Sequence, residues 1–241
     1  MNIVVCKDYE QMCRQAATVV SARILRKPNV ILGFPTGSTP EGMYAQLVRM
    51  HREEGIDWRE VTTFNLDEYV GLPPEHDQSY RYFMNRQLFD HVNIPKSNTH
   101  LLNGCAADLQ SECQRYEDAI ARAGGIDLQV LGIGRNGHIG FNEPATAFSP
   151  MSVCESLTQD TINVNARLFA NLSDVPKTAI TMGIGSIMRA REILLLANGS
   201  NKTQAVKEMI TGAVAPRMPA SILQFHQSVT ILLDQEAAAM L

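Results

Sequence analysis

No apolar run in this sequence approaches the roughly 20 residues that span a bilayer, so no membrane segment is expected. Residues 1–9 hold too short an apolar stretch for a signal sequence, and Lys7 and Asp8 end it. Basic charge is scarce: 21 Lys and Arg stand against 25 Asp and Glu, a formal net charge of -4. That leaves no basic footprint for nucleic acid or anionic lipid, although a few local donors can still hold a small anion. Cysteine is sparse, and Cys6, Cys13, Cys105, Cys113 and Cys154 form no CxxC pair and leave an odd one over. Without a secretion signal they read as reduced, mostly buried small apolar residues. Internal repeats, low-complexity tracts and linkers are absent as well. What remains is one cytoplasmic domain over residues 1–241, with 45% apolar residues to build its core.

What is present is alternation. Residues 2–6 form a short apolar run of strand type. Asp8 then opens a helix, with Gln11 at the capping-box position and Met12, Ala16, Val19, Val20 and Ile24 along one face. Residues 30–34 read as a second buried strand, ended by Pro35 and Gly37; Thr39 stands as N-cap and Pro40 at the first position of the next helix. Residues 61–66, 126–133, 179–182, 193–197 and 229–233 read as further strands. Residues 79–91, 108–123 and 200–210 read as helices, the last capped by Ser200, and an Ala-rich helical tail ends the chain. Residues 142–167 are the least regular. Strands apolar on both faces, separated by amphipathic helices, predict an α/β, Rossmann-like three-layer domain with a mostly parallel central sheet. Ligands bind such sheets at the carboxyl ends of the strands, which singles out 35–40, 67–69, 134–143 and 199–202.

The first segment belongs to GFPTGSTP (33–40). Free N–H groups at a helix start attract an anion, and Thr36, Ser38 and Thr39 add hydroxyls around Gly37. A Walker A lysine is missing, so no nucleotide triphosphate is implied. A plain capped strand–turn–helix would look the same. In FNLDEY (64–69) two carboxylates adjoin at a strand end. Neighbouring side chains diverge, so one of Asp67 and Glu68 faces the crevice, where a half-apolar setting raises its pKa and lets it take a proton from carbon. A solvated strand end starting a turn is the other reading.

GIGRNGHIGFNEP (132–144) is the most specific segment. Glycines flank His138, which projects the imidazole into a site, and Glu143 is near enough in sequence to orient it for proton relay. Zinc binding is the competing use, but no HxxxH or CxxC spacing supports it. The GxG start lacks the third glycine of a dinucleotide loop. Arg167 in NARLF and Lys202 in GSNK are candidates to converge on a phosphate, or else plain surface charges. Lys202 opposes the dipole of its own helix, a conflict that a bound anion would relieve.

Together these motifs closely resemble the glucosamine-6-phosphate deaminase family. The resemblance runs in the family's order through GFPTGSTP, FNLDEYVGL, LLNG, GIGRNGHIGFNEP, NARLF, TMGIG and GSNK, and covers most of the chain. It implies a sugar-phosphate enzyme converting glucosamine-6-phosphate and water to fructose-6-phosphate and ammonia, without metal or cofactor. It implies that Asp67 moves a proton between C2 and C1, and that His138 opens the sugar ring with Asn136 and Glu143. It also implies that Thr36, Gly37, Ser38, Thr39, Arg167 and Lys202 hold the phosphate.

Asn136 stands where many members carry an aspartate, so the relay leans on Glu143. Residues 151–155 (MSVCE) lack the positive charge with which some longer members hold a regulatory aminosugar phosphate. No activation by N-acetylglucosamine-6-phosphate is therefore expected, and the short C-terminus favours a monomer over a homo-oligomer. The rival 6-phosphogluconolactonases share the fold and a similar histidine loop, but not the FNEP continuation or the FNLDEY context. A non-enzymatic sugar-phosphate sensor is disfavoured by the presence of both Asp67 and His138 and by the lack of a preceding helix-turn-helix segment. A pentose-phosphate isomerase is a distant third.

Overall fold

Asp8 starts the first helix as its position predicts. Its Oδ1 accepts from the Gln11 N–H at 2.7 Å, and Gln11 Oε1 accepts from the Lys7 N–H at 2.6 Å, opening α1 (Tyr9–Arg26). The structure is a computed structural model describing residues 1–166, 169, 171 and 174–241.

The strands are β1 (Asn2–Val5), β2 (Ile31–Phe34), β3 (Thr62–Asn65), β4 (Asp67–Tyr69), β5 (Thr99–His100), β6 (Leu128–Leu131), β7 (Val153–Ser156), β8 (Thr178–Thr181), β9 (Glu192–Ala197) and β10 (Val229–Leu233). Seven of them form a sheet in the order β1-β10-β9-β6-β2-β3-β5, every neighbouring pair parallel. The side-chain period of two sorts its core. Ile193 and Leu195 face one layer with Ile31, Phe64 and Ile231, whereas Leu194 and Leu196 face the other with Leu32, Phe34 and Leu232. Leu194, Leu195 and Leu196 are wholly buried, each stabilising the fold by roughly 1.5–3 kcal/mol.

Helices cover both faces. On one side lie α1 and α2 (Glu41–Glu54), with Met12, Val20, Met43 and Leu47 inward. On the other lie α4 (Leu109–Ala123), α6 (Ile184–Met188) and α7 (Thr203–Thr211), through Tyr116, Ile187 and Met209. The expected three-layer α/β architecture is present. No helix among the described residues is long and apolar enough to cross a membrane.

Several expectations need correction. The run at 61–66 does not end in solvent: the chain leaves β3 at Leu66 and enters a second sheet, β4-β8-β7, which is antiparallel. The 179–182 strand therefore belongs to this small sheet. Residues 142–167 hold β7 and α5 (Gln159–Asn165), too short to show a period. The helix expected at 79–91 is α3 (Tyr80–Met84) running into a π-helical turn, Asn85–Phe89. Pro40, not Thr39, caps α2, with no side-chain bond, because the Thr39 hydroxyl turns to Asn198. Ser200 opens a 3-10 turn, Ser200–Lys202, before α7 and is not its cap. The tail beyond β10 is a series of turns, in which the Asp234 carboxylate takes the Ala237 N–H.

From β2 the chain builds outward through β3 to β5, then returns to β6 and builds the other way through β9 and β10. The strand order thus reverses between β2 and β6, where open α/β sheets form a crevice. The segments following β2, β3, β6 and β9 all lead from this end of the sheet.

Candidate active site

The two carboxylates of FNLDEY have separate fates. Glu68 turns away and accepts from the N–H groups of Tyr69, Tyr80 (2.9 Å each) and Arg81 (3.0 Å), sealing the start of α3. Asp67 is 6% exposed and faces the loop after β6. Burial, and then the charge of Glu68, push the Asp67 carboxyl up to about 8. A buried carboxyl with such a pKa is a strong base when ionised, as proton abstraction from carbon requires.

Asp67 is held opposite this loop by the small sheet. It pairs with Thr181 of β8, whose Oγ1 accepts from the Phe141 N–H at 3.0 Å. Asn142 anchors the same loop, donating from Nδ2 to the carbonyls of Ile139 (2.8 Å) and Met182 (2.9 Å). Gly140 takes φ +59° where the chain passes the base: a Cβ there would lie 2.9 Å from Thr181 Oγ1 and 3.5 Å from Asp67 Oδ2. Glycine is required by both the backbone angle and the space.

Two residues before Gly140, His138 lays its imidazole over Gly134. Its Nδ1 is 3.4 Å from Oε2 of Glu143, an ion-pair approach without hydrogen-bond geometry. Asn136 bridges the two residues: its Oδ1 accepts from the His138 N–H at 3.2 Å, and its Nδ2 donates to Glu143 Oε2 at 2.7 Å. The other Glu143 oxygen accepts from the Thr161 hydroxyl of α5. Burial pushes the Glu143 carboxyl up, but His138, Thr161 and Asn136 outweigh it, and its pKa lies below the usual glutamate value. Asn136, His138 and Glu143 thus form one cluster, in the loop that passes Asp67.

Between the segments after β2 and β9, Thr39 Oγ1 donates to Asn198 Oδ1 at 2.8 Å, spanning the end of β6. The Thr39 proton is therefore already engaged. Tyr9 props the GFPTGSTP loop from below, its hydroxyl donating to the Ser38 and Thr39 carbonyls (3.2 Å each) and accepting from the Gly42 N–H (2.9 Å). Gly37 turns at φ +95°, leaving Thr36 and Ser38 at least partly exposed on the loop. In GSNK the N–H groups of Gly199 and Ser200 are taken by Asp234 and Glu236. Burial, and then nearby Arg135, hold the Lys202 ammonium below its ordinary pKa. Arg167 lies outside the described residues.

Sequence reasoning missed Tyr9, Asn142, Thr161 and Asn198. Asn142 stood inside the singled-out motif, but nothing in its spacing announced an anchor. Thr161 sits in the stretch that reads as irregular, and Tyr9 and Asn198 meet the loop only through the tertiary fold.

Residues 7–232 match the family model of glucosamine-6-phosphate isomerases/6-phosphogluconolactonase. The chain belongs to this family. A glucosamine-6-phosphate deaminase from a Thermoanaerobacter species is 51% identical over 241 residues, covering 100% of this chain and 95% of the relative. One from Clostridioides difficile is 52% identical, covering 100% and 97%. A solved structure described as a monomeric glucosamine-6-phosphate deaminase superimposes with a TM-score of 0.98 at 43% identity, over 100% of both chains. A 6-phosphogluconolactonase from Thermotoga maritima superimposes with a TM-score of 0.77 at 19% identity, over 97% of this chain and 99% of its own, and shares the fold. The deaminase and lactonase structures thus share one architecture, and the two curated relatives at about half identity are both deaminases.

Proposed function

We propose that this chain is a cytoplasmic glucosamine-6-phosphate deaminase: it isomerises the aminosugar phosphate, hydrolyses the C–N bond at C2, and yields fructose-6-phosphate and ammonia for aminosugar catabolism. The observation that carries the proposal is Asp67, a buried carboxyl raised to about 8, held against the loop that bears the His138–Glu143 pair.

The pyranose is opened by moving a proton from the C1 hydroxyl to the ring oxygen, a task for His138 oriented by Glu143. The resulting C1 aldehyde acidifies the proton on C2. Asp67 removes that proton, the electron pair left behind forms the C1–C2 double bond, and O1 takes a proton from the substrate ammonium, which gives an enolaminol. Returning the proton to C1 gives a C2 imine, which water hydrolyses with release of ammonia. The ammonium of the bound sugar favours the ionised form of Asp67, so the substrate helps to generate its own base. Each step is proton transfer or hydrolysis, so no cofactor is invoked.

The phosphate is assigned to the loop of Thr36, Gly37, Ser38 and Thr39 together with Lys202 and Arg167. Thr39 orders the loop through Asn198 while Lys202 supplies charge. Binding this remote anion positions C1 and C2 against Asp67. The monomeric description of the 43% identical structure supports a monomer here.

The test is to incubate purified protein with glucosamine-6-phosphate in heavy water. Ammonia and fructose-6-phosphate should appear in equal amounts, with solvent-derived deuterium at C1 of the ketose. Absence of both products overturns the proposal.

A further inference from the structure

We propose that Thr161 is a positioning residue for sugar-ring opening, fixing the Glu143 carboxylate so that its Oε2 stays committed to His138. The inference rests on the function proposed above and names a residue outside the motifs that carry it. Glu143 is gripped at both oxygens: Thr161 Oγ1 donates to Oε1, and Asn136 Nδ2 donates to Oε2 at 2.7 Å. The terminal torsion of a glutamate is broad and roughly two-fold, so one donor alone leaves the carboxylate free to rock. Donors on opposite oxygens remove that freedom and leave Oε2 facing His138 Nδ1.

Thr161 is itself held. It is 6% exposed, and its hydroxyl accepts from Thr158 Oγ1 at 3.1 Å. Thr158, the N-cap of α5, takes the Thr161 N–H at 3.3 Å. The start of a helix distant from the histidine loop in sequence is thereby fastened to that loop through one carboxylate. A fixed Oε2 favours the imidazole tautomer with hydrogen on Nδ1. Nε2 is then left to exchange protons with the sugar, the division of labour by which a carboxylate orients a catalytic histidine.

Thr161→Val removes the hydroxyl and keeps the shape; Thr161→Ser keeps the hydroxyl. Expected for Thr161→Val is a roughly tenfold fall in kcat with KM within about twofold. The imidazole 15N spectrum of His138 in the free protein should shift away from the Nδ1–H tautomer, and Thr161→Ser should restore both readouts. Wild-type kcat and spectrum in Thr161→Val overturn the proposal, as does a kcat loss with an unchanged spectrum. Equal impairment in Thr161→Ser overturns it too, since packing alone would then explain the effect. If Thr161→Val fails to fold, the comparison of Thr161→Ala with Thr161→Ser decides by the same criteria. The spectrum needs no turnover: a wild-type chain that releases no ammonia refutes the deaminase assignment, while the His138 comparison still decides whether Thr161 orients the pair.

Discussion

Asn136 donates from Nδ2 to Oε2 of Glu143, and that same oxygen lies 3.4 Å from Nδ1 of His138. Position 136 therefore supplies a neutral donor to the carboxylate that lies beside the histidine. Asn136→Asp would remove this donor and set a second negative charge against Glu143. Like charges raise the pKa of the pair, so its ionised form is reached only at higher pH. In the free protein the Glu143 carboxyl should therefore titrate at higher pH than in the wild type, below the range in which Asp67 ionises. The side-chain 13C shift of Glu143 followed against pH checks this; an unmoved titration would show that Asn136 does not set the charge state of Glu143.

Asp67→Asn keeps the size of the proposed base and removes its function. Turnover should fall by about 10²–10⁴, the usual worth of general acid–base catalysis, with KM within about threefold. The raised pKa also has a cost for folding. Between about pH 4, the unfolded value, and pH 8 the native carboxyl holds a proton that the unfolded chain has lost, so stability falls as pH rises. Asparagine does not titrate. Its Tm should therefore exceed that of the wild type at pH 8, and the gap should close towards pH 4. Parallel melting curves over this range would refute the buried-carboxyl account of Asp67.

Much of the candidate site was legible because chemistry at a sheet's carboxyl ends needs residues that cores reject. Adjacent carboxylates after a strand and a histidine between glycines stand out for that reason. What could not be read was the division between Asp67 and Glu68, which depends on β3 passing into a second sheet and on α3 needing acceptors at its start. Nor could Thr39 be read correctly, because local capping preference lost to a tertiary bond with Asn198. The parallel sheet was visible in its continuous apolar runs. The small sheet was not: the alternation along β7, with Val153 and Glu155 half-buried and Cys154 and Ser156 exposed, is carried by four residues, too few for a period.

Lys202→Ala tests the phosphate site. A charge-assisted contact contributes roughly 1.5–3 kcal/mol, so KM for the sugar phosphate should rise about 10–150-fold while kcat changes little. Inorganic phosphate should raise the Tm of the wild type and do so less in the variant, since binding stabilises only the state that binds. An unchanged KM would remove Lys202 from the site.

The region around β7 offers a poor anion site. Arg189 approaches Met151, but its Nη2 is paired with buried Glu117 at 2.9 Å. Glu117 also accepts from the Ser152 N–H at 2.7 Å, and Glu155 adds negative charge on the strand. N-acetylglucosamine-6-phosphate should therefore leave the substrate saturation curve hyperbolic and its midpoint unchanged. Initial rates with and without this compound check the expectation, and a sigmoidal curve made hyperbolic by it would overturn it.

Gly134→Ala probes how the histidine is seated. Gly134 donates its N–H to the His138 carbonyl at 2.9 Å, and its own carbonyl accepts from Gly137 at 3.0 Å. A Cβ at 134 would come 2.4 Å from His138 Cε1 and 2.5 Å from both ring nitrogens, closer than non-bonded atoms approach. The backbone bonds hold the loop, so the ring is the part that yields. Overpacking of this kind costs roughly 1–3 kcal/mol, which lowers Tm without unfolding the protein. The displaced imidazole should lose about 10²-fold in kcat, the scale for an ångström of misplacement in a reacting group. KM should stay near the wild-type value because the proposed phosphate contacts lie elsewhere. With cyclic substrate the loss should be full, whereas substrate captured transiently in its open-chain form should react at a rate closer to wild type. Equal loss on both forms would mean that His138 acts beyond ring opening.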